Sequence, residues 1–331
     1  GPDSGGMKVY NHALIGHRRL SIVDPKGGLQ PMTKKIGNRE YTICYNGELY
    51  NTKEIKDDLI KKGYSFKTKC DTEVVLTAFI EYGTECLKNL NGIFSFCIYD
   101  YNKNSIFLAR DHLGIKPLFY SLTKDGTLVF ASEIKAILKH NEITPILDKE
   151  GFMELFALGP AHSPGKTYFK NIYELKPAHF AIYNSSGLHI EQYWKLASKE
   201  HTDSFGQTCE HLRFLLNDSI TKQLVSDVPL CTFLSGGLDS SIITKFASDY
   251  YETSSMPVLD TYSVDYVDND KNFVKSDFQP NSDNFYIDLV QKRLKTNHHK
   301  IIIDTPELAN ALEDAMIARD VPGMADIDSS L

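Results

Sequence analysis

The chain has 331 residues, 42% of them hydrophobic and 24% charged. That exceeds the ~250–300 residues at which a single core stops growing, so two globular domains are expected. Its 36 basic and 43 acidic residues leave a net charge of -7, a balance that favours solubility and gives no pull toward phosphate backbones or anionic lipid. Nucleic acid and membrane are therefore set aside as partners. No apolar run approaches the ~18–20 residues of a membrane span and no basic-then-apolar leader opens the chain, so it reads as cytoplasmic.

The first half predicts strands at 13–16, 41–45, 93–100, 105–110, 127–131 and 178–183, short and rich in β-branched or aromatic residues. Two helices interrupt them. One runs over 52–62, with Ile55, Leu59 and Ile60 at helical spacing, and the other over 71–82, with Val74, Val75, Ala78 and Phe79. This order predicts an α+β sandwich. A polar linker at 197–204 follows Trp194. Helices at 205–225, 240–251, 283–295 and 306–319 then alternate with strands at 229–234, 260–264 and 299–303, the order of an α/β parallel sheet. The domains are accordingly expected at 1–197 and 204–331. Between Asp265 and Asn284 the chain is too poor in apolar residues to pack and reads as an exposed insertion.

Six cysteines, Cys44, Cys70, Cys86, Cys97, Cys209 and Cys231, include no pair with metal-ligand spacing, and Cys44, Cys97 and Cys231 sit in apolar strand-like runs. Buried reduced thiols are expected. Adjacent His298 and His299 fall in a strand, where neighbours point to opposite faces, so both read as structural and not as a metal pair.

The most specific signal is Ser235-Gly236-Gly237-Leu238-Asp239-Ser240-Ser241, directly after an apolar strand and before an amphipathic helix. Two glycines let backbone approach a ligand closely, and the free N–H groups and dipole at a helix start attract an anion. The serine hydroxyls add donors. Asp239 would be misplaced against bare phosphate unless it holds a divalent metal that the phosphates also bind. No lysine follows the glycines and the spacing is too short for a Walker loop. The bland alternative is a glycine turn with a serine cap. The segment resembles the pyrophosphate loop of the adenylating amidotransferase family, which cleaves ATP between its α and β phosphates. That resemblance implies nucleotide contacts from Leu234, Ser235, Gly236, Gly237, Asp239, Ser240 and Val264, with Mg2+ at Asp239.

Several segments of the first half resemble, in order and spacing, the class II glutamine amidotransferase domain of asparagine synthetases. They are Gly1-Pro2-Asp3 with Gly5, Arg19-Leu20-Ser21-Ile22-Val23-Asp24, Tyr45-Asn46-Gly47-Glu48-Leu49-Tyr50-Asn51, Asp71 with Glu73, and Arg110-Asp111-His112-Leu113-Gly114-Ile115-Lys116-Pro117-Leu118. The resemblance implies an N-terminal nucleophile-type sandwich followed by an adenine nucleotide hydrolase-like domain. In that family the nucleophile is an N-terminal cysteine whose own amine is the base, and this chain begins downstream of it. The resemblance also implies that Arg19, Glu48 and Asp71 bind glutamine, Arg19 through the α-carboxylate and Asp71 through the α-ammonium. Asn46 and the Gly47 N–H would form an oxyanion hole. Each has a plainer alternative: Asn46-Gly47 as a hairpin turn, Arg18-Arg19 as a solvated pair, Asp71 as a helix cap. Lys176-Pro177-Ala178-His179 departs from the family, which often has glycine after the proline.

The implied activity is amidation of aspartate to asparagine through a β-aspartyl-adenylate, with ammonia channelled from glutamine, ATP and Mg2+ as cofactors, and a homodimeric assembly. The rivals are a sister ligase acting on another carboxylate (β-lactam-forming, peptide-cyclising or sugar-acid amidating), an amidotransferase for an amino sugar or nucleotide precursor, and a catalytically dead binding relative. Gly1 is not an initiator, Gly1-Pro2 also reads as a tag scar, and no helix-ending signal follows at Leu331. Both sites are therefore expected to need residues beyond this stretch, and the stretch alone is expected to be inactive.

Overall fold

The computed structural model describes residues 1–158, 162–277 and 280–320. Residues 278 and 279 of the expected insertion and 321–331 of the expected second domain lie outside them. The described chain divides into two compact units, Gly1–Lys199 with Arg319 and Asp320, and Glu200–Ala318.

In the first unit the strands are β1 (Ser4–Val9), β2 (Leu14–Arg19), β3 (Met32–Ile36), β4 (Arg39–Leu49), β5 (Gly92–Asp100), β6 (Ser105–Arg110), β7 (Phe119–Leu122), β8 (Leu128–Ala131), β9 (Tyr173–Glu174), β10 (His179–Asn184) and β11 (Gly187–Gln192). The helices are α1 (Thr52–Lys61), α2 (Asp71–Tyr82), α3 (Ile134–Ile137) and α4 (Lys149–Leu158). Six strands form an antiparallel sheet in the order β11-β10-β6-β5-β4-β3.

Period-two alternation sends Tyr41, Ile43, Tyr45, Phe94, Phe96, Ile98 and Phe107 to one face, where they pack with Leu59, Val74, Val75 and Ala78 of α1 and α2. Cys97, Tyr99, Leu108 and Ala181 take the other face, against Ile15 of β2, Leu118, Leu175 and the edge of Tyr120 and Phe130 on β7 and β8. Because both faces of the sheet are covered, β5 is buried along nearly its whole length. Its sequence therefore reads as one apolar run instead of an alternation.

Arg110 and Asp111 of the Arg110–Leu118 motif have a clear role in folding. Asp111 is 1% exposed and its carboxylate accepts from the N–H groups of Phe94, Leu113, Ile115 and Lys116 at 2.9–3.2 Å. Arg110 donates to the carbonyls of Gly114, Lys116 and Leu175 and pairs with buried Glu174 at 2.8 Å. Ala178 carries the departure from the family pattern: it sits at φ 58, the left-handed region that glycine enters without cost.

The second unit holds α5 (Phe205–Lys222), β12 (Cys231–Phe233), α6 (Leu238–Thr253), β13 (Leu259–Tyr266), α7 (Asn269–Asn272), α8 (Asp283–Gln291), β14 (Thr296–Ile303) and α9 (Thr305–Arg319). Its three strands are all parallel, in the order β12-β13-β14. The polar linker ends in a capping box, with Ser204 and Gln207 bonded reciprocally, and this starts α5. Apolar packing is small, centred on Ala247, Tyr251 and Leu259. The two histidines do point to opposite faces: His298 meets Thr261 and Ser263, while His299 meets Asp260 and stacks on Tyr262.

All six cysteines are free, but burial does not explain all of them. Cys209 and Cys231 are exposed, because β12 is a short edge strand with one uncovered face and Cys209 lies on the outer side of α5. No helix among the described residues is long and apolar enough to cross a membrane.

Arg110→Met would leave the Glu174 carboxylate buried without its cation. The expected cost is about 3–5 kcal/mol in denaturant unfolding, and a loss below about 1 kcal/mol would show that the pair is structurally idle.

Candidate functional site

One cavity of about 540 Å3 in the first unit is lined by Arg19, Asn46, Gly47, Glu48 and Asp71, so all five residues expected on the glutamine side face a common space. Each reaches it by a specific local cause. Asn46 and Gly47 do not form a hairpin turn. They lie inside β4, opposite Ser95 and Phe94 of β5. A β-carbon on Gly47 would come within 2.3 Å of the Ile93 carbonyl, so only glycine lets the two backbones run this close while Asn46 and Glu48 stay at the cavity. Gln30 grips the same strand from the side: its amide donates to the Tyr45 carbonyl at 2.9 Å and accepts from the Tyr45 N–H at 2.6 Å.

Asp71 is the first residue of α2, not its cap, which is Cys70. Its carboxylate accepts from the Leu49 N–H at 3.1 Å and the Thr72 N–H at 2.8 Å, tying the helix start to the end of β4. Burial raises its pKa above the ordinary carboxylate value, opposed by those N–H bonds. Glu48 is raised too, again by burial, with nearby Lys116 pulling it back and Asp71 pushing it up.

Arg19 is not a solvated partner of Arg18. It is 8% exposed, and its guanidinium donates to the carbonyls of Val23, Asp24 and Pro25 at 2.8, 3.1 and 3.0 Å. The fork expected to meet a ligand is thus also the brace of the loop after β2. His17 borders the same cavity, and burial, reinforced by neighbouring positive charge, pushes it down to about 4.

Lys116, Gln30 and His17 were not singled out by sequence reasoning. Lys116 stood within a quoted motif, but nothing in its spacing showed that the Arg110–Asp111 brace turns it toward Glu48. Gln30 and His17 carry no sequence signal that would have found them.

In the second unit the loop 235–237 joins β12 to α6, as its sequence context requires. Gly236 has φ 81 and Gly237 is the N-cap of α6, with no side chain capping its N–H groups. The Ser235 and Ser240 hydroxyls meet across the turn at 3.0 Å, and Ser240 and Ser241 both donate to the Gly237 carbonyl. Leu234 is fully buried and its N–H bonds to the Tyr262 carbonyl at 2.7 Å, whereas Val264, further along β13, is half-buried.

Asp239 is exposed in the first turn of α6. The described residues hold no group of three or more His, Cys, Asp or Glu able to bind a metal by themselves. The uncapped N–H groups suit a phosphate anion, and the Asp239 carboxylate could hold a divalent ion such as Mg2+, which takes one or two carboxylates and completes its shell with water and phosphate oxygens.

The glutamine amidotransferase domain family matches residues 1–194, and the asparagine synthase family matches residues 211–331. The chain belongs to the asparagine synthetase family, a glutamine amidotransferase domain followed by an asparagine synthase domain. Glutamine-hydrolyzing asparagine synthetase 3 of Bacillus subtilis is 48% identical over 100% of this chain and 54% of its own length. A putative asparagine synthetase 2 of Methanocaldococcus jannaschii is 34% identical over 90% of this chain and 58% of its own length. Asparagine synthetase B of Escherichia coli is 33% identical over 76% and 40%. The chain thus spans about half the length of the curated relatives it matches. Among solved structures, a glutamine phosphoribosylpyrophosphate amidotransferase from B. subtilis aligns with a TM-score of 0.41 at 18% identity over 87% of this chain and 67% of that one, too distant to bear on fold or function.

Asp71→Asn tests the cost of placing a carboxylate at the cavity. A raised folded-state pKa means that the folded protein holds its proton longer than the unfolded chain, so wild-type stability is lost as pH rises from the unfolded value near ~4 through the folded one. The variant has no such loss. Its melting temperature minus that of wild type should grow as pH rises above about 4, and a flat or shrinking difference would count against the raised pKa.

Proposed function

We propose that the protein of which this chain is part amidates aspartate to asparagine, using glutamine as nitrogen donor and ATP to activate the acid. The observation that carries the reading is the Ser235–Ser241 turn, seated between a parallel strand and a helix start, with Gly236 in a glycine-favoured conformation and the α6 N–H groups uncapped. These groups would hold the β and γ phosphates while the aspartate β-carboxylate attacks the α phosphorus in line. Pyrophosphate leaves and a β-aspartyl-adenylate forms. Asp239 would hold Mg2+, whose chemistry when bound is to offset the phosphate charge.

The first unit would supply the ammonia. In the cavity, Asp71 is suited to the glutamine α-ammonium, Arg19 to its α-carboxylate, and the Asn46 amide with the Gly47 N–H to the oxyanion that develops as the amide is attacked. Raised carboxylates with Lys116 among them make a mixed-charge lining suited to a zwitterion. Ammonia passed directly to the adenylate stays unprotonated, whereas release to water at neutral pH would convert most of it to unreactive ammonium. It attacks the acyl carbon and AMP departs. Six free thiols agree with a reducing, cytoplasmic setting.

The polar segment after β13 keeps a second acceptor acid open, so the test uses a panel. The protein expressed from its full reading frame, given Mg2+ and labelled pyrophosphate, should exchange label into ATP with aspartate and not with other carboxylic acids. Asp239→Asn should lower that exchange by roughly a hundredfold. Exchange driven by a different acid transfers the assignment to a sister ligase, and no exchange with any acid refutes it.

A further inference from the structure

Asp265 ends the buried stretch of β13 at 7% exposure and gathers donors from three separate parts of the second unit. The Asn269 amide at the start of α7 donates to it at 2.6 Å, the Asn284 amide in the first turn of α8 at 2.8 Å, and Lys300 of β14 at 2.7 Å. Burial alone would raise its pKa, but Lys300, Asn284 and Asn269 together hold it down at about 2. It is therefore ionised wherever the protein works.

What Asp265 holds bears directly on the phosphate loop. Asp283, the residue beside Asn284, sets its backbone carbonyl so close to Gly236 that a β-carbon there would come within 2.7 Å of it. Gly236 is thus backed by the first turn of α8, while the Ser235 and Ser240 hydroxyls bond to each other across the turn. A glycine at φ 81 has the widest conformational freedom of any residue in the loop. Something outside the loop must narrow that freedom if its N–H groups are to be preorganised for an anion.

We infer that Asp265 is a positioning residue for the phosphate loop: through Asn284 it seats the first turn of α8 against Gly236 and so fixes the shape of the pyrophosphate-binding turn. The same carboxylate takes amides from Asn269 and Asn284, which lie on either side of the exposed Val274 in sequence. The inference rests on the phosphate-loop reading proposed above.

The test uses the full-length protein and acid-dependent ATP–pyrophosphate exchange. Asn284→Ala and Asp265→Ala should raise the KM for ATP roughly tenfold, while glutamine hydrolysis keeps its wild-type kcat/KM. Asn269→Ala removes a bond to the same carboxylate but not the one that reaches Gly236, and should stay within about twofold of wild type. Wild-type ATP KM in both Asn284→Ala and Asp265→Ala, or an Asn269→Ala effect as large as that of Asn284→Ala, overturns the positioning role. If Asp265→Ala does not fold, Asn284→Ala decides alone. A wild-type protein that exchanges no label with any acid removes the phosphate-loop reading and this inference with it, whereas exchange in wild type with unmoved variants removes only the inference.

Discussion

Backbone packed too tightly for a side chain shapes both candidate sites. At Gly47 a β-carbon would collide with the Ile93 carbonyl, and at Gly236 with the Asp283 carbonyl. In the first case closeness keeps β4 against β5, so that Asn46 and Glu48 stand at the cavity with fixed spacing. In the second it presses a loop between two helix starts. Polar groups meant to meet a ligand have to be fixed before it arrives, since any motion they lose on binding weakens the complex. Glycine serves here less for flexibility than for the neighbour it admits.

The first unit can tolerate costly charges because it is otherwise overbuilt. Its sheet is covered on both faces, by α1 and α2 on one side and by the small sheets on the other. That apolar reserve supports two carboxylates, Asp71 and Glu48, whose ionised forms are disfavoured where they stand. A carboxylate disfavoured by burial at a cavity that Lys116 and Arg19 also line is the kind of compromise expected at a binding site, where stability is given up for complementarity.

Much of this was legible in the sequence, and the gaps have physical causes. The predicted helix 71–82 coincides with α2, and the strand 105–110 with β6, because long periodic segments with clear ends leave little choice. The strands at Ser4–Val9, Met32–Ile36, Phe119–Leu122, Tyr173–Glu174 and Gly187–Gln192 escaped notice. They are edge or small-sheet strands, half-exposed, and carry no strong alternation. Phe205–Lys222 is shorter than predicted, as the apolar Leu224 and Val225 past its end pack or lie exposed without continuing the helix. The Asn46-Gly47 pair was ambiguous as a dipeptide, since the same letters specify a turn or a close strand crossing, and only the partner strand decides. Arg19 was placed at the cavity by resemblance, yet its bonds to Val23, Asp24 and Pro25 depend on how the following loop curls, which no local pattern encodes.

The second unit is held together differently. Where the first has a broad apolar core, this one has a small cluster around Ala247, Tyr251 and Leu259 and a set of paired polar side chains across its sheet. Thr232 meets Thr244, His298 spans Thr261 and Ser263, and Asp265 collects two amides and an ammonium. Buried polar groups of this kind add little net stability when satisfied and cost a great deal when one partner is removed. Their value is in specifying one arrangement. The turn proposed to bind phosphate would gain more from that than from extra apolar area, because such a ligand would be recognised by the direction of N–H groups, and direction is what a bonded polar network fixes.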